Sequence, residues 1–323
     1  MKPKVSFLLC TYNYPELIKK CLESIIMQKY SGKIEILIVD GGSNIKTRNL
    51  IEEYKNKFNF IKVLENKNKL PEGEGNGKWL GWKNATGEYV FIIDQDNELL
   101  QDNTLDLMIK AFTDNSVFGC AGKLRLDRKD SLTNQYIALM GTDPVFAYRS
   151  MDGLVNTKKS FFSDKSELSW IKINKDNLII TGGNCFIYKK SILDKLGGYT
   201  QDTENVARLI NKGFNRVAVT NNGVTHHRAI EGFMAFIKKK KKWAKTYKPK
   251  KIEGNFSYFP KNIIQRKEFL INLFYIFTIF PNIFVSIKQF LKTRESAWFL
   301  HPILSFITGF IYFFYTFLLA RLR

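Results

Sequence analysis

Three short apolar runs, each ending in a cluster of polar residues, constrain the fold more than any other feature of this chain. They cover residues 5–10, 34–39 and 89–93 and are rich in β-branched, aromatic and leucine side chains. Such runs are typical of strands that are buried on both faces of a parallel sheet. Helical patterns at residues 15–27, 46–58 and 77–85, and a short strand at 61–64, complete a right-handed βαβ series. The carboxyl ends of these strands should meet at one ligand-binding crevice.

Two carboxylates, Asp94 and Asp96, follow the third long run and are separated only by Gln95. A hard divalent cation prefers oxygen ligands and is commonly shared with the phosphates of a substrate. Taken alone, the pair favours a plainer interpretation, an acidic turn in which an Asp caps the next helix. The polar residues that end the two earlier runs favour a shared site instead.

An ordered set of motifs resembles the family 2 glycosyltransferases of the GT-A fold. The resemblance covers about residues 4–230, and its motifs are weak singly but specific in their order. The first group is Thr11-Tyr12-Asn13, Val39-Asp40-Gly41-Gly42-Ser43, Ala85-Thr86-Gly87-Glu88-Tyr89 and Asp94-Gln95-Asp96. The second is Thr181-Gly182-Gly183-Asn184, Leu196-Gly197-Gly198-Tyr199, Gln201-Asp202, Arg208-Leu209, Gly213 and His226. The resemblance implies an α/β fold with a Rossmann-like mixed sheet and flanking helices.

The same resemblance implies a site for a nucleotide-diphosphate sugar. Asp40 would contact the nucleobase and Thr11 would line the same pocket, while Asp94 and Asp96 would hold the diphosphate through Mg²⁺ or Mn²⁺. Glu98 and His226 compete for a third metal-ligand position. The donor-site residues implied by the motifs are Thr11, Tyr12, Asn13, Asp40, Gly41, Asp94 and Gln95.

Asp202 is the implied base that takes a proton from the acceptor, with Glu204 as an alternative in a shifted register. Sequence alone also fits a helix N-cap at Asp202 with Glu204 in the first turn. Residues 142–144 and Gly182, Gly183 and Asn184 are implied on the acceptor side. The glycine-rich stretch 73–78 lacks the spacing of a phosphate loop and is interpreted as a donor-site loop.

The C-terminal part carries most of the excess positive charge. After residue 230 there are 17 Lys and Arg against four Glu, within a formal net charge of +20 for the whole chain. The excess begins at residues 238–242, five consecutive lysines, and aromatic residues are interleaved with it. This pattern predicts a basic amphipathic linker at residues 231–268 that binds an anionic membrane surface.

Two uncharged apolar segments decide against nucleic acid as the partner of this basic stretch. Residues 269–287 and 296–320 are long enough to enter or span a hydrocarbon core of about 30 Å. Their prolines, Pro281 and Pro302, leave re-entrant or interfacial helices as an alternative to spanning ones. We therefore expect a catalytic domain at residues 1–230 and membrane-associated helices at 269–323, with the catalytic domain on the cytoplasmic face.

The four cysteines lack the spacing of a metal site and are expected to be reduced thiols. The expected activity is metal-dependent, inverting transfer of a sugar from a nucleotide diphosphate to a lipid-linked glycan at the membrane. Polyprenyl phosphate is the alternative acceptor. A catalytically degenerate membrane scaffold or sugar-binding protein is the second alternative, which the intact Asp94-Gln95-Asp96 motif disfavours.

Overall fold

The structure is a computed structural model that describes residues 2–67, 69–70, 73–141, 167–174, 182–228, 232–252 and 274–315. Thr181 and the predicted acceptor-side residues 142–144 lie outside this part of the chain, as do residues 253–273 and 316–323. Contacts group the described residues into two compact units. The first comprises residues up to 123 together with 167–174 and 182–227, and the second comprises 124–141, 228, 232–252 and 274–315. The predicted domain boundaries at 230 and 268 stay predictions.

The first unit is built on a mixed sheet, which has nine strands within the described residues. The strand order is β3-β2-β1-β4-β8-β6-β9-β5, and β7 pairs with β9 outside this path. The four strands β3, β2, β1 and β4 are parallel, whereas β8 runs antiparallel to both β4 and β6. The strands are β1 (Val5–Thr11), β2 (Ile34–Asp40), β3 (Ile61–Glu65), β4 (Tyr89–Asp94), β5 (Asn97–Leu99), β6 (Val117–Leu124), β7 (Leu168–Lys172), β8 (Phe186–Lys189) and β9 (Arg216–His227).

Helices flank the sheet, as the βαβ pattern predicts. The three helices predicted between the N-terminal strands begin and end within two residues of their predicted bounds. The helices are α1 (Pro15–Ile26), α2 (Ile45–Lys57), α3 (Gly77–Asn84), α4 (Thr104–Ile109), α5 (Leu132–Met140), α6 (Lys190–Asp194), α7 (Asp202–Asn211), α8 (Phe233–Ile252), α9 (Ile279–Thr293) and α10 (His301–Phe313). The mixed α/β fold expected from the sequence is confirmed.

The apolar runs of the sequence form the core of the first unit. Phe7 on β1 and Phe91 on β4 are fully buried and stack with ring centroids 4.8 Å apart. In-register parallel pairing of β1 with both β2 and β4 places Thr11 beside Asp40 and Cys10 beside Asp94. The polar residues that follow the three strands are therefore brought to one edge of the sheet, as expected for parallel strands.

Glu35 is a charged exception inside the buried part of β2. Its carboxylate accepts hydrogen bonds from Ser6 Oγ at 2.6 Å and from the backbone N–H and hydroxyl of Thr86 at 2.7 and 2.8 Å. Lys4 Nζ adds an ion pair at 3.2 Å. Burial alone would raise the pKa of Glu35, but these hydrogen bonds outweigh it and lower the pKa to about 2. The buried charge is stable because it is fully partnered.

The second unit is helical within the described residues and contains α5, α8, α9 and α10. Tyr136, Phe236, Trp298 and Leu304 share a buried apolar cluster there. Among the described residues, Ser296–Phe313 is the one stretch long and apolar enough to cross a membrane, judged by length and composition. The four cysteines are free, as expected, and three of them are buried.

Candidate active site

The turn after β2 is organised around Asp40. Its Oδ1 accepts hydrogen bonds from the hydroxyls of Thr11 at 3.2 Å and Ser43 at 2.5 Å. Its Oδ2 accepts from the backbone N–H groups of Gly42 at 3.2 Å and Ser43 at 3.0 Å. A carboxylate has about four lone-pair positions, and these four hydrogen bonds occupy them. Asp40 is therefore buried, and its hydrogen bonds join the ends of β1 and β2 at the place where the motifs imply the nucleobase pocket.

The segment after β1 is held between this turn and the end of β4. The backbone N–H of Tyr12 donates to Gln95 Oε1 at 2.8 Å, and Gln95 Nε2 donates back to the Tyr12 carbonyl at 3.2 Å. Asn13 has a left-handed backbone with φ of 57°, and its N–H donates to Ser43 Oγ at 2.8 Å. The Gly41 N–H donates to the Thr11 carbonyl at 2.8 Å. The structure thus brings together the six predicted donor-site residues outside Asp94.

Lys78 lies at the centre of the remaining polar residues and was not among the residues predicted from sequence. Its Nζ is 3.2 Å from Asp94 Oδ1 and 3.2 Å from Asp202 Oδ1. It also donates to the carbonyl of Gly183 at 2.6 Å. Burial opposes the charge of Lys78, but Asp202 and Asp94 outweigh this effect and raise the pKa of the ammonium. One cation therefore links the first carboxylate of the Asp94-Gln95-Asp96 motif with the implied base.

The N-terminus of α3 fixes the position of Lys78. Asn76 caps this helix, because its Oδ1 accepts from the Trp79 N–H at 2.9 Å. The Asn76 Nδ2 donates to the carbonyls of Gly73 and Thr200, both at 2.7 Å. Lys78 is thus held in the first turn by a cap that also ties α3 to the segment before α7. The Asn-Gly start of a helix was the available sequence signal for this arrangement.

Asp202 occupies the first position of α7. The N-cap is Gln201, whose side chain accepts from the Glu204 N–H at 2.7 Å, so the capping role considered for Asp202 belongs to its neighbour. Tyr199 donates its hydroxyl to Asp202 Oδ1 at 2.6 Å. The side chain of Asp202 is 41% exposed, whereas Glu204 is buried. Of the two carboxylates, Asp202 is the one that an acceptor could reach.

The glycine pair before β8 packs tightly beside Asp202. Gly182 has φ of +69°, and its carbonyl accepts from Tyr188 at 2.8 Å and from Tyr199 at 3.2 Å. A Cβ built on Gly183 would collide with the carboxylate of Asp202. Next to this pair, Asn184 Oδ1 accepts from the Asp94 N–H at 3.1 Å, at the end of β4. The structure therefore places Gly183 beside Asp202 and Asn184 beside Asp94, and the Tyr199 hydroxyl connects Gly182 with Asp202.

Asp96 has a histidine neighbour, but it is not the one named from sequence. Antiparallel pairing of β5 with β9 sets Glu98 opposite His226 and Asn97 opposite His227. The Nδ1 of His227 lies 3.5 Å from Asp96 Oδ1, which also accepts from Asn97 Nδ2 at 2.7 Å. Since neighbouring residues on a strand point to opposite faces, His226 and His227 do not share a face. Ligation by His226 or Glu98 stays a prediction.

The residues present fit a divalent cation. Burial raises the pKa of Asp94, Lys78 opposes that rise, and the nearby Asp96 adds to it. A cation bound by both Asp94 and Asp96 would relieve the repulsion between these two carboxylates at the end of β4. Carboxylate oxygens are also the ligands that Mg²⁺ and Mn²⁺ take. The imidazole of His227 beside Asp96 adds a donor that suits Mn²⁺ better than Mg²⁺.

A sequence profile described as glycosyl transferase family 2 matches residues 6–197, which run from the second residue of β1 to beyond the end of α6. The chain belongs to glycosyl transferase family 2. Its activity is therefore that of a glycosyltransferase, and its mixed sheet is the GT-A fold.

Curated relatives of this glycosyltransferase include enzymes of polysaccharide synthesis. The probable glycosyltransferase YdaM of Bacillus subtilis is 23% identical over 330 residues, which cover 96% of this chain and 72% of the relative. A poly-beta-1,6-N-acetyl-D-glucosamine synthase of Staphylococcus aureus is 32% identical over 167 residues, covering 49% of this chain and 38% of the synthase. The chain thus matches less than half the length of that synthase.

Two solved structures share the fold of this glycosyltransferase. A mannosyltransferase from Pyrobaculum calidifontis, in complex with GDP-Man and Mn²⁺, has a TM-score of 0.58 and 16% identity, covering 97% of this chain and 87% of its own. S. aureus TarS 1–349 in complex with UDP-GlcNAc has a TM-score of 0.52 and 18% identity, covering 99% and 92%. At these identities the likeness shows the fold alone.

Proposed function

We propose that this glycosyltransferase moves a sugar from a nucleotide diphosphate, in a metal-dependent and inverting reaction, to a lipid-linked glycan held at the membrane. The observation that carries the proposal is the Lys78 junction, in which one ammonium contacts both Asp94 and Asp202 at 3.2 Å. This junction places Asp94, a carboxylate of the metal motif, and Asp202, the exposed base, on the same ammonium. The relatives named for poly-N-acetylglucosamine synthesis, and the neighbours bound to UDP-GlcNAc and GDP-Man, support a nucleotide-sugar donor.

Asp94 and Asp96 would hold the metal ion, with His227, Glu98 or His226 at its side. When bound, the ion would neutralise the charge that develops on the departing diphosphate. The chain itself supplies orientation, because Asn184 fixes the backbone of Asp94 and Asn97 holds the carboxylate of Asp96. The Tyr12–Gln95 hydrogen bonds would keep the donor segment after β1 against the same strand end.

Asp202 would take the proton of the acceptor hydroxyl. An alcohol is a weak nucleophile at neutral pH, so a base positioned beside it lowers the barrier to attack. Tyr199 and Lys78 both contact Oδ1 of Asp202, which fixes one oxygen. The Oδ2 oxygen is the one we assign to the proton transfer. Attack opposite the departing diphosphate would invert the anomeric centre.

A polyprenyl phosphate acceptor is the second candidate. Its oxygen is already ionised, so a base such as Asp202 would not be needed. The hydrogen bonds that hold Asp202 in place favour the hydroxyl acceptor. A membrane location, with the catalytic domain on the cytoplasmic face, is supported by the apolar stretch at Ser296–Phe313 and by the basic residues of α8.

The test is nucleotide release by the purified chain in lipid, with Mn²⁺ or Mg²⁺, across UDP-, GDP- and dTDP-sugars. We expect Asp96→Asn to abolish metal-dependent turnover, and near-normal activity in this variant would exclude the metal assignment.

Asp202→Asn should remove transfer to a hydroxyl and spare transfer to a phosphate. Equal loss with both acceptors would show that Asp202 has a structural role.

The matched control is Asp194→Asn, which changes an exposed carboxylate of α6 that pairs with Lys190 at 3.1 Å. It should leave turnover unchanged. If the wild-type protein releases nucleotide only when polyprenyl phosphate is present, the second candidate replaces the first. If it releases none with any donor and either metal, the scaffold interpretation replaces both.

A further inference from the structure

Helix α9 exposes an apolar stripe to solvent. Phe280 and Phe284 are 84% and 65% exposed, and Ile283, Ile287 and Leu291 are exposed with them. These positions recur at intervals of three and four residues, so they form one face of the helix. A soluble helix turns such a face toward its core. Here the face is on the outside.

The opposite face of α9 is polar and buried. Asn282, Ser286 and Gln289 are all inaccessible or nearly so. Ser286 donates its hydroxyl to the Trp298 carbonyl at 2.8 Å, and Asn282 Nδ2 donates to the Tyr275 carbonyl at 2.7 Å. The helix is therefore arranged with polar side chains inside and hydrocarbon outside, which is the reverse of a helix in water.

Helix α10 repeats this arrangement. Ile303, Phe306 and Phe310 are exposed, while the polar side chains of its inner face are buried. On that inner face, His301 Nδ1 lies 2.8 Å from the hydroxyl of Tyr136. Thr308 donates to the Leu304 carbonyl at 2.6 Å. Two neighbouring helices of the second unit thus carry outward apolar stripes.

Lysines border the α9 stripe, and further lysines are exposed on α8. Lys288 and Lys292 are exposed on one flank of the α9 stripe. On α8, Lys238, Lys241 and Lys242 are exposed, and Lys245 Nζ lies 5.8 Å from the ring centre of Tyr315, two residues after the end of α10. An apolar face with lysines at its edge is typical of helices that lie in the headgroup region of a bilayer. Each lysine near an anionic surface adds about fivefold to the affinity.

The length of α9 favours a position in the bilayer surface over spanning. The 15 residues of α9 extend about 22 Å, which is short of a hydrocarbon core of about 30 Å. A spanning α9 would also carry Lys288 and Lys292 into the membrane. In α10, His301, Ser305 and Thr308 are fully buried together with Leu304, while Ile303, Phe306 and Phe310 are exposed, so its polar side chains are turned into the protein.

We propose that α9 and α10 form a monotopic docking surface, whose apolar stripes enter one leaflet of an anionic bilayer while the polar faces stay inside the protein. A second copy of the chain fits less well, because a two-fold contact between α9 stripes would bring the flanking lysines of both copies together. This inference rests on the proposed membrane-held acceptor, and it adds which helix faces enter the bilayer.

The first experiment measures depth. Phe284→Cys and Phe306→Cys are each labelled with a nitroxide in the whole chain, bound to phosphatidylcholine–phosphatidylglycerol vesicles. The unsubstituted chain gives the background from the native cysteines. We expect both labels at about 5–10 Å below the phosphates. A label at Phe306 near the bilayer centre, about 15 Å deep, would show a spanning α10 and overturn the proposal. So would two water-exposed labels.

The second experiment measures binding to the same vesicles by sedimentation. Phe280→Glu with Phe284→Glu should weaken binding by about tenfold or more, because both stripe residues lose their burial in lipid. Ile45→Glu, at an exposed apolar residue of α2, is the matched control and should bind like wild type. Equal binding by the double variant overturns the proposal. So does a dimer of the wild-type chain that light scattering detects without lipid and that is absent in the double variant.

Donor turnover in detergent separates this inference from the proposed function. The double variant should keep its nucleotide release, since α9 contains none of the site residues. If wild-type protein binds vesicles as expected but turns over no donor, the proposed function fails and the docking surface stands. If turnover is normal and the labels lie outside the predicted depth, the docking surface fails alone.

Discussion

Lys78 Nζ lies 3.2 Å from Asp202 Oδ1, although the two residues are 124 positions apart in the chain. The pair joins the first turn of α3 to the first residue of α7. Because the same ammonium contacts Asp94 at the end of β4, it fixes the spacing between the implied base and the metal-motif carboxylate. A shift of α3 would therefore move both groups relative to each other.

Removing the charge of Lys78 should lower both stability and activity. In Lys78→Met, Asp94 and Asp202 lose a shared partner that is only 16% exposed. We expect a loss of about 1–3 kcal/mol in the free energy of unfolding and a fall in kcat of tenfold or so, by the general sensitivity of catalysis to misplaced groups. Urea unfolding and donor turnover measure the two effects. Lys83→Met, on the exposed side of α3, is the control and should change neither by a comparable amount.

Asn184 should control metal binding without touching the metal-motif carboxylates. Its Oδ1 accepts from the Asp94 backbone N–H, so Asn184→Ala frees the end of β4. Loss of such supporting contacts typically weakens metal affinity by about 10–100-fold. We expect the Mn²⁺ concentration for half-maximal turnover to rise by about tenfold or more. Asn84→Ala removes a local hydrogen bond to Leu80 on α3 and should leave the metal requirement unchanged.

The two histidines of β9 should differ in their effect on metal preference. His227→Gln removes the imidazole beside Asp96, and imidazole favours Mn²⁺ over Mg²⁺. The ratio of turnover with Mn²⁺ to turnover with Mg²⁺ should therefore fall. His226→Gln should keep the ratio of the wild type. A fall confined to His226→Gln would restore the ligand expected from sequence.

Glu35 should make the fold sensitive to acid. Its folded pKa of about 2 lies below the ordinary value of 4.5. The resulting stability is fully present above about pH 4.5 and is lost as the pH falls toward 2. Glu35→Gln should lower the free energy of unfolding at pH 7 by about 3 kcal/mol. It should also flatten its dependence on pH between 4.5 and 2.

Urea midpoints across this pH range test the assignment. Glu53→Gln changes an exposed carboxylate of α2 and serves as the control. Its midpoint should follow the wild-type curve. A Glu35→Gln curve parallel to the wild-type curve would show that other carboxyl groups cause the acid sensitivity.

The sequence predicted the elements whose residues repeat a simple pattern. The runs that became β1, β2 and β4 are apolar on both faces, and in-register parallel pairing then brings Thr11, Asp40 and Asp94 to one edge. Burial of strands and the position of their polar ends follow from local composition. This is why the edge of the sheet and the carboxylate motif could be found before the structure.

Residues that act through distant partners left no such pattern. In the sequence, Lys78 is one of many lysines, and its role depends on the contact between α3 and α7. Glu35 is a single charged residue in an apolar strand, and its hydrogen bonds to Ser6 and Thr86 are visible only in the structure. The choice between His226 and His227 depends on which face of β9 each occupies beside β5. Likewise, the apolar C-terminal segments predict membrane contact, but only the burial of Asn282 and its neighbours shows which side faces outward.

Gly183 lies so close to Asp202 that a single added carbon would displace the carboxylate. In a saturation library at position 183, selected for donor turnover, glycine should be the sole survivor. Alanine would already push Asp202 away from Tyr199 and Lys78, and larger side chains would push it further. An enzyme engineer who wishes to reshape the acceptor side therefore has no freedom at this position and must vary residues around it.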